Sequence, residues 1–160
     1  MFTKDGLKLL HAETHQRYRM LLDHAESMPE EAFLAEVPGF GRGTLRDQLV
    51  HVLATEEFWV GAVQNKETVE PDYGSFRSAK GLRPMQQRVM SETIVYLDRV
   101  PEQELNRTLE QLPHDWVGAP ASPAFILLHV ITHAFHHKGQ VVAMFRLHGH
   151  PIGDTDLQRE

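Results

Sequence analysis

The sequence predicts an all-α protein, a four-helix bundle with two long connecting loops. Three observations lead there. Four segments carry apolar residues at three- and four-residue spacing. Proline, glycine and capping residues punctuate their ends. No run of residues alternates in the way a half-buried strand requires. The chain has 160 residues, which suits a single domain over 1–160, because two cores would each fall near the lower limit of self-sufficiency.

The first helix is expected from Lys4 to Ser27, with Leu7, His11, Thr14, Tyr18, Leu22 and Ala25 on one face. Met28-Pro29 stops it, since the residue before proline disfavours helical dihedrals. The second is expected from Leu45 to Gln64. Thr44 is its N-cap, with Asp47 three places on, and Gly39, Gly41 and Gly43 mark the turn before it. The third is expected from Leu82 to Val100, with Pro84 in its first turn, where a missing N–H does no harm. The fourth has the clearest ends: Ser122 as N-cap, Pro123 at the first helical position and Gly149 past the last turn. The long connections are Lys66 to Lys80 and Glu102 to Ala121. Loops of that length in a small domain are often functional. The second, with Leu109 and Pro113-His114-Asp115-Trp116, is expected to hold a short extended piece.

Composition excludes several classes. Lys and Arg total 16 against 22 Asp and Glu, a formal charge of −6, so a nucleic-acid backbone is not the expected partner. There is no Cys, which removes disulfides, a catalytic thiol and thiolate metal sites. No stretch approaches the roughly 18 apolar residues of a membrane span, and with no long apolar stretch behind Met1 to Gly6 a signal peptide is not expected. The expected location is cytoplasmic, with no membrane partner.

The unusual count is 11 His. Four of them, His129, His133, His136 and His137, lie on the fourth helix. At about 100° per residue, His129, His137 and Gln140 fall within about 40° of His133. Ile126, Val130 and Met144 share that face, so it is not a solvated one. His133 and His137 are four apart, the spacing at which two imidazoles on a helix grip one ion. His51, between Val50 and Val52 on the second helix, is the candidate third ligand. Three neutral imidazoles with an open fourth position is the pattern of a catalytic site, where a bound water becomes a nucleophile or base. His129 is a hydrogen-bonding neighbour, an alternative ligand or simply core. Asp47 either orients a ligand or serves only as a charge at a helix N-terminus. His11 and His15 form another four-apart pair, ranked lower for want of a third partner. Arg77, Lys80 and Arg83 either meet a substrate carboxylate or form an ordinary solvated cluster.

Rival sites are excluded by spacing. The zincin motif needs Glu directly after the first His of the pair, where this chain has Ala134. No Glu-x-x-His of the di-iron bundles occurs. There is no Ser in a G-x-S-x-G setting and no Gly-rich phosphate loop. Gly139, inside the fourth helix, is either a point of close helix approach or a tolerated cost of roughly 1 kcal/mol. Leu128, Ile131, Phe135 and Val142 make the other side of that helix apolar. Either neighbouring helices or a second subunit must cover it.

His133-Ala134-Phe135-His136-His137-Lys138-Gly139-Gln140 resembles the His-x-x-x-His-x-Gly-Gln segment of the DinB-like, or YfiT-like, metalloprotein superfamily. Phe40 to His51 resembles the family's lead-in to its first ligand, and Glu57 and Trp59 fit its second helix. Glu30 and Glu31, after Met28-Pro29, fit a usual first turn. The resemblance runs from helix one to Leu147. It implies a four-helix bundle, commonly a homodimer, with a divalent ion, usually zinc or nickel, on His51, His133 and His137. Characterised relatives include S-transferases that use low-molecular-weight thiols such as bacillithiol or mycothiol, and a maleylpyruvate isomerase. A small-molecule substrate is therefore expected, with Gln140 hydrogen-bonding to it. Tyr18 departs from the family's small polar residue and is expected to line or narrow the pocket. The expected function is a metal-dependent enzyme, a thiol S-transferase or hydrolase. The alternative is a non-catalytic metal- or small-ligand-binding protein of the stress response.

Overall fold

The computed structural model describes residues 1–111, 113, 116 and 118–157. Among them are six α-helices and no strand: α1 (Lys4–Glu26), α2 (Glu30–Leu34), α3 (Leu45–Ala62), α4 (Arg83–Arg99), α5 (Glu102–Asn106) and α6 (Pro123–Leu147). The four long helices are the four expected. Their starts follow from side-chain caps: Thr3, Thr44 and Ser122 accept from the backbone N–H three residues on, satisfying donors that have no partner within the helix. α4 is instead led in by a 3-10 turn over Ala79–Leu82, with Pro84 in its first turn. Gly149, at φ +78°, ends α6 and lets His150 N–H reach back to the Phe145 carbonyl at 2.9 Å, the left-handed closure that glycine permits. The two short helices were not expected as separate elements. Each follows a proline and opens on glutamates, Pro29-Glu30-Glu31 and Pro101-Glu102.

α1 packs on α4 and α6, and α3 packs on the same two, so α1 and α3 face each other across the bundle centre. Side-chain pairs set the directions. Gln48 meets Gln140 while Trp59 meets His129, so α3 and α6 are antiparallel. Tyr18 meets the Leu49 carbonyl and His15 meets Glu56, so α1 and α3 are antiparallel. Arg83 meets Glu26 while Lys4 meets Asp98, so α1 and α4 are antiparallel. α3 and α4 must therefore run the same way. The chain between them has to return the length of an 18-residue helix, about 27 Å. That is why the Lys66–Lys80 connection is long, and it lays residues 68–73 along α3. It starts from a close approach at Gly61, where an added Cβ would lie 2.6 Å from Thr68 Cγ2.

The main core holds Leu22, Leu45, Leu49, Leu53, Leu82 and Phe145, all fully buried. A second cluster joins Leu7, Leu97, Leu105, Leu127 and Ile131. Ile131 is buried there, Phe135 packs beside it and Val142 packs on the main core. Three of the four residues on the other side of α6 are thus covered within the chain. The expected extended piece in the second connection is absent among the described residues. Helix α5 occupies its start, and Leu109 N–H meets the Ala121 carbonyl at 2.9 Å in a single backbone bond. His114 and Asp115 lie outside the described residues. Gly139 is exposed, and an added Cβ there would meet nothing within 4 Å, so tolerance explains it and helix approach does not. The C-terminal segment is fastened along α1 and α6 by Arg17 on the Asp156 carbonyl and Lys138 on the Thr155 carbonyl. No helix among the described residues is long and apolar enough to cross a membrane.

The two glycines should respond in opposite ways to alanine. Gly139→Ala is expected to raise stability by about 0.5–1 kcal/mol, and Gly61→Ala to lower it. Urea unfolding midpoints of the two variants check both signs.

Candidate metal centre and cavity

α3 and α6 cross where His51, His133 and His137 stand. Ring centroids are 4.9 Å apart for His51–His133, 4.8 Å for His51–His137 and 4.4 Å for His133–His137. One ligand nitrogen from each lies within 4.8 Å of the other two. The closest approach is His133 Nε2 to His137 Nε2, 3.1 Å.

The protonation of His137 follows from its neighbours. Gln48 is fully buried. Its Nε2 donates to the Arg42 carbonyl and to Gln140 Oε1, both at 2.8 Å. A backbone carbonyl accepts only, so the amide is fixed with Oε1 towards His137. His137 Nδ1 is 2.6 Å from that oxygen and so carries the proton. His137 Nε2 is then a bare lone pair. Two bare nitrogens 3.1 Å apart repel, so either a proton on His133 or a cation must lie between them. His133 Nδ1 is buried without a hydrogen-bond partner. His51 Nδ1 rests 3.3 Å from Thr55 Oγ1, leaving its Nε2 for the group. This donor set fits a divalent ion: three imidazoles at near-ligand spacing, one tautomer already fixed by a hydrogen bond.

The three are held uncharged. Burial is the main cause in each, and it disfavours the protonated form. It pushes His133 down to about 3, aided by His137 and His51. His51 is pushed down to about 4 by burial, then by the Arg42 guanidinium and by His137. His137 is also near 4, from burial, then His136 and Arg42. All three are free of the proton that competes with a metal at neutral pH.

A cavity of about 490 Å³ opens on His51 and His133. α3 supplies Thr55, Phe58 and Trp59, the returning connection supplies Thr68 to Pro71 and Tyr73, and the turn before α3 supplies Arg42. His129 lines it too, with Trp59 and Trp116 rings at 5.6 and 5.7 Å. It stands 5.9 Å from His133 by ring centroid, outside the ligand group. Gln140 does not line the cavity: its Nε2 meets His136 Nε2 at 2.7 Å and its Oε1 is taken by Gln48. Asp47 donates its N–H to the Thr44 cap of α3, and its carboxylate pairs with Arg46 at 2.8 Å. Tyr18 is on the other side of α3. Its hydroxyl donates to the Leu49 carbonyl at 2.9 Å, and the space it shares with His137 is only about 10 Å³. Tyr18 therefore fills core. Arg83 pairs with Asp23 and Glu26, and Arg77 with Glu30. The cation on the cavity wall is Arg42.

Sequence reasoning missed the partner of His11 and His15. It is Glu56, which with them forms a second group able by geometry to hold a metal. His11 Nε2 is 2.7 Å from Glu56 Oε1 and His15 Nε2 is 2.9 Å from Oε2. Thr93 adds a hydroxyl at 2.7 Å, and Gln86 reaches His15 Nδ1 at 3.2 Å. Burial alone would raise the Glu56 pKa; the charge of His15 and the hydrogen bonds from both imidazoles outweigh it and hold the group well below the usual carboxylate range. All three residues are buried, and the carboxylate is already saturated with donors. Its neighbour Glu57, which the sequence did single out, points outward to a bidentate pair with Arg88. The signal for Glu56 lay in its register: five residues after His51 is about 140° round the helix, towards α1.

The imidazoles set a pH dependence. Their unfolded pKa is about 6.5, whereas the folded values are about 3 to 4. Between these limits the unfolded chain binds more protons, so stability falls as pH falls. Metal-free protein should lose denaturation midpoint steadily from about pH 6.5 to about pH 4. A midpoint that rises on acidification over that range would contradict the burial of these rings as neutral groups.

No curated protein matches the chain. A family model matches it over residues 1–160, its whole length. The all-helical bundle, the two groups able to hold a metal and this match agree, and the chain belongs to the DinB family.

Proposed function

We propose that the protein is a metal-dependent enzyme, a low-molecular-weight thiol S-transferase or a hydrolase, with His51, His133 and His137 as ligands and zinc or nickel as the ion. The observation that carries this reading is the fixed His137 tautomer, whose bare Nε2 faces His133 Nε2 at 3.1 Å beside a cavity that reaches His51 and His133. A divalent ion on three imidazoles supplies an open position and lowers the pKa of a thiol or water that takes it. The chain's own residues do the rest. Gln48 holds His137 in register, Thr55 supports His51, and Phe58 and Trp59 keep one side of the cavity apolar. The absence of Cys suits chemistry in which the sulfur comes from a cosubstrate. The working form is a homodimer acting on a small molecule, as the family resemblance implies, with neither nucleic acid nor membrane as partner.

The alternative, a non-catalytic metal- or small-ligand-binding stress protein with the same ligands, would be favoured by a fourth protein ligand that closes the shell. His129 is the nearest candidate, and its packing against Trp59 and Trp116 favours the open site.

Metal content by elemental mass spectrometry tests the assignment. The wild type should hold about one equivalent, His51→Ala should lose it, and Glu56→Gln should keep it. Loss in Glu56→Gln with retention in His51→Ala would move the site to His11, His15 and Glu56. Turnover of an electrophile that needs both metal and added thiol, and that vanishes in His51→Ala, would support the enzyme. Metal without turnover for any thiol or ester would favour the binding protein.

A further inference from the structure

We propose that Arg42 forms an anion subsite in the cavity, selecting a small thiol that carries a carboxylate; this rests on the three-histidine reading above. Arg42 lies in the turn closed by Val37 N–H on the Gly43 carbonyl at 2.7 Å. Its carbonyl accepts from Gln48 Nε2, so the side chain that orients His137 also anchors the turn that carries the guanidinium. That guanidinium lies 5.6 Å over the Tyr73 ring and lines the cavity with His51 and His133.

Arg42 differs from most other arginines of this acidic chain. Arg46, Arg77, Arg83, Arg88 and Arg107 each pair with a carboxylate. Arg42 has no ion pair among the described residues. Of the two carboxylates on the cavity wall, Glu57 is held bidentately by Arg88, and Glu70 is exposed at the rim. A planar guanidinium held over an aromatic ring at cation–π distance keeps its forked donors for a carboxylate from outside. Phe58, Trp59, Val69 and Pro71 line the same cavity, and a charge-assisted bond beside apolar walls is stronger than one in open water. A thiol bound there with its sulfur towards the imidazoles would find the guanidinium within the same cavity.

The test uses cobalt(II)-loaded full chain, titrated with 3-mercaptopropionate and with the uncharged 3-mercaptopropanamide, read by the sulfur-to-cobalt charge-transfer band. The carboxylate should bind about tenfold more tightly in the wild type. Arg42→Gln should abolish that preference while cobalt stoichiometry and amide affinity stay unchanged, and Arg42→Lys should keep part of it. Equal affinities in the wild type, or a preference that survives in Arg42→Gln, would overturn the subsite. If cobalt does not bind, the metal reading fails by itself. Calorimetric titration of metal-free protein with 3-phenylpropionate and 3-phenylpropanamide then decides the subsite: a carboxylate preference lost in Arg42→Gln supports it, and no preference overturns it.

Discussion

The hydrogen bond between His137 Nδ1 and Gln48 Oε1, 2.6 Å long, is the contact on which the rest of the α3–α6 seam depends. Gln48 has one oxygen and one NH₂ group, and each is committed. The NH₂ meets a backbone carbonyl that cannot donate, so the oxygen has only one place to go. That choice fixes the His137 proton, bares its Nε2 and aligns it on His133. The same NH₂ group ties down the turn that carries Arg42, and through Gln140 it reaches His136. One buried amide thus sets a ring orientation, a tautomer and a loop position. An unsatisfied amide at that depth would cost on the order of 1–3 kcal/mol, and here both N–H donors and the oxygen each have a partner.

Helix direction produces the cavity. Because α3 and α4 run parallel, the connection between them must travel back along the bundle, and its residues 68–73 become the wall opposite α3. A shorter connection would have required an antiparallel pair. α3 consequently carries chemistry on two sides. His51 turns to α6 and the cavity, while Glu56 turns to α1 and α4 and is buried in donors. The second group looks like a ligand set by element type and distance, yet both oxygens of its carboxylate already accept hydrogen bonds. It joins three helices across the centre of the bundle, where α1 and α3 meet through side chains.

Much of this was legible in the sequence because it follows from local rules. Thr44, Ser122, Pro84 and Gly149 announced helix ends that the structure reproduces. Four-residue spacing put His133 and His137 on one face of α6. What escaped was whatever depends on how helices pair. The partner of His11 and His15 sits on α3, 41 and 45 residues away, and no spacing rule on α1 points to it. Tyr18 is expected at a pocket only through the family resemblance, and its hydrogen bond to the Leu49 carbonyl is visible only once α1 lies against α3. Gln140 was given to a substrate because its demand for Gln48 is visible only when α3 lies against α6. Arg42 was passed over because it belongs to a turn, where periodicity says nothing about direction.

The central claim is that the protein presents three neutral imidazoles, one with its tautomer set by Gln48, before any ion arrives. A long-range ¹H–¹⁵N spectrum of the histidine rings in metal-free protein at neutral pH tests it most directly. The account predicts a neutral His137 ring protonated at Nδ1, with Nε2 bare. A His137 ring protonated at Nε2, or one carrying both protons, would contradict it.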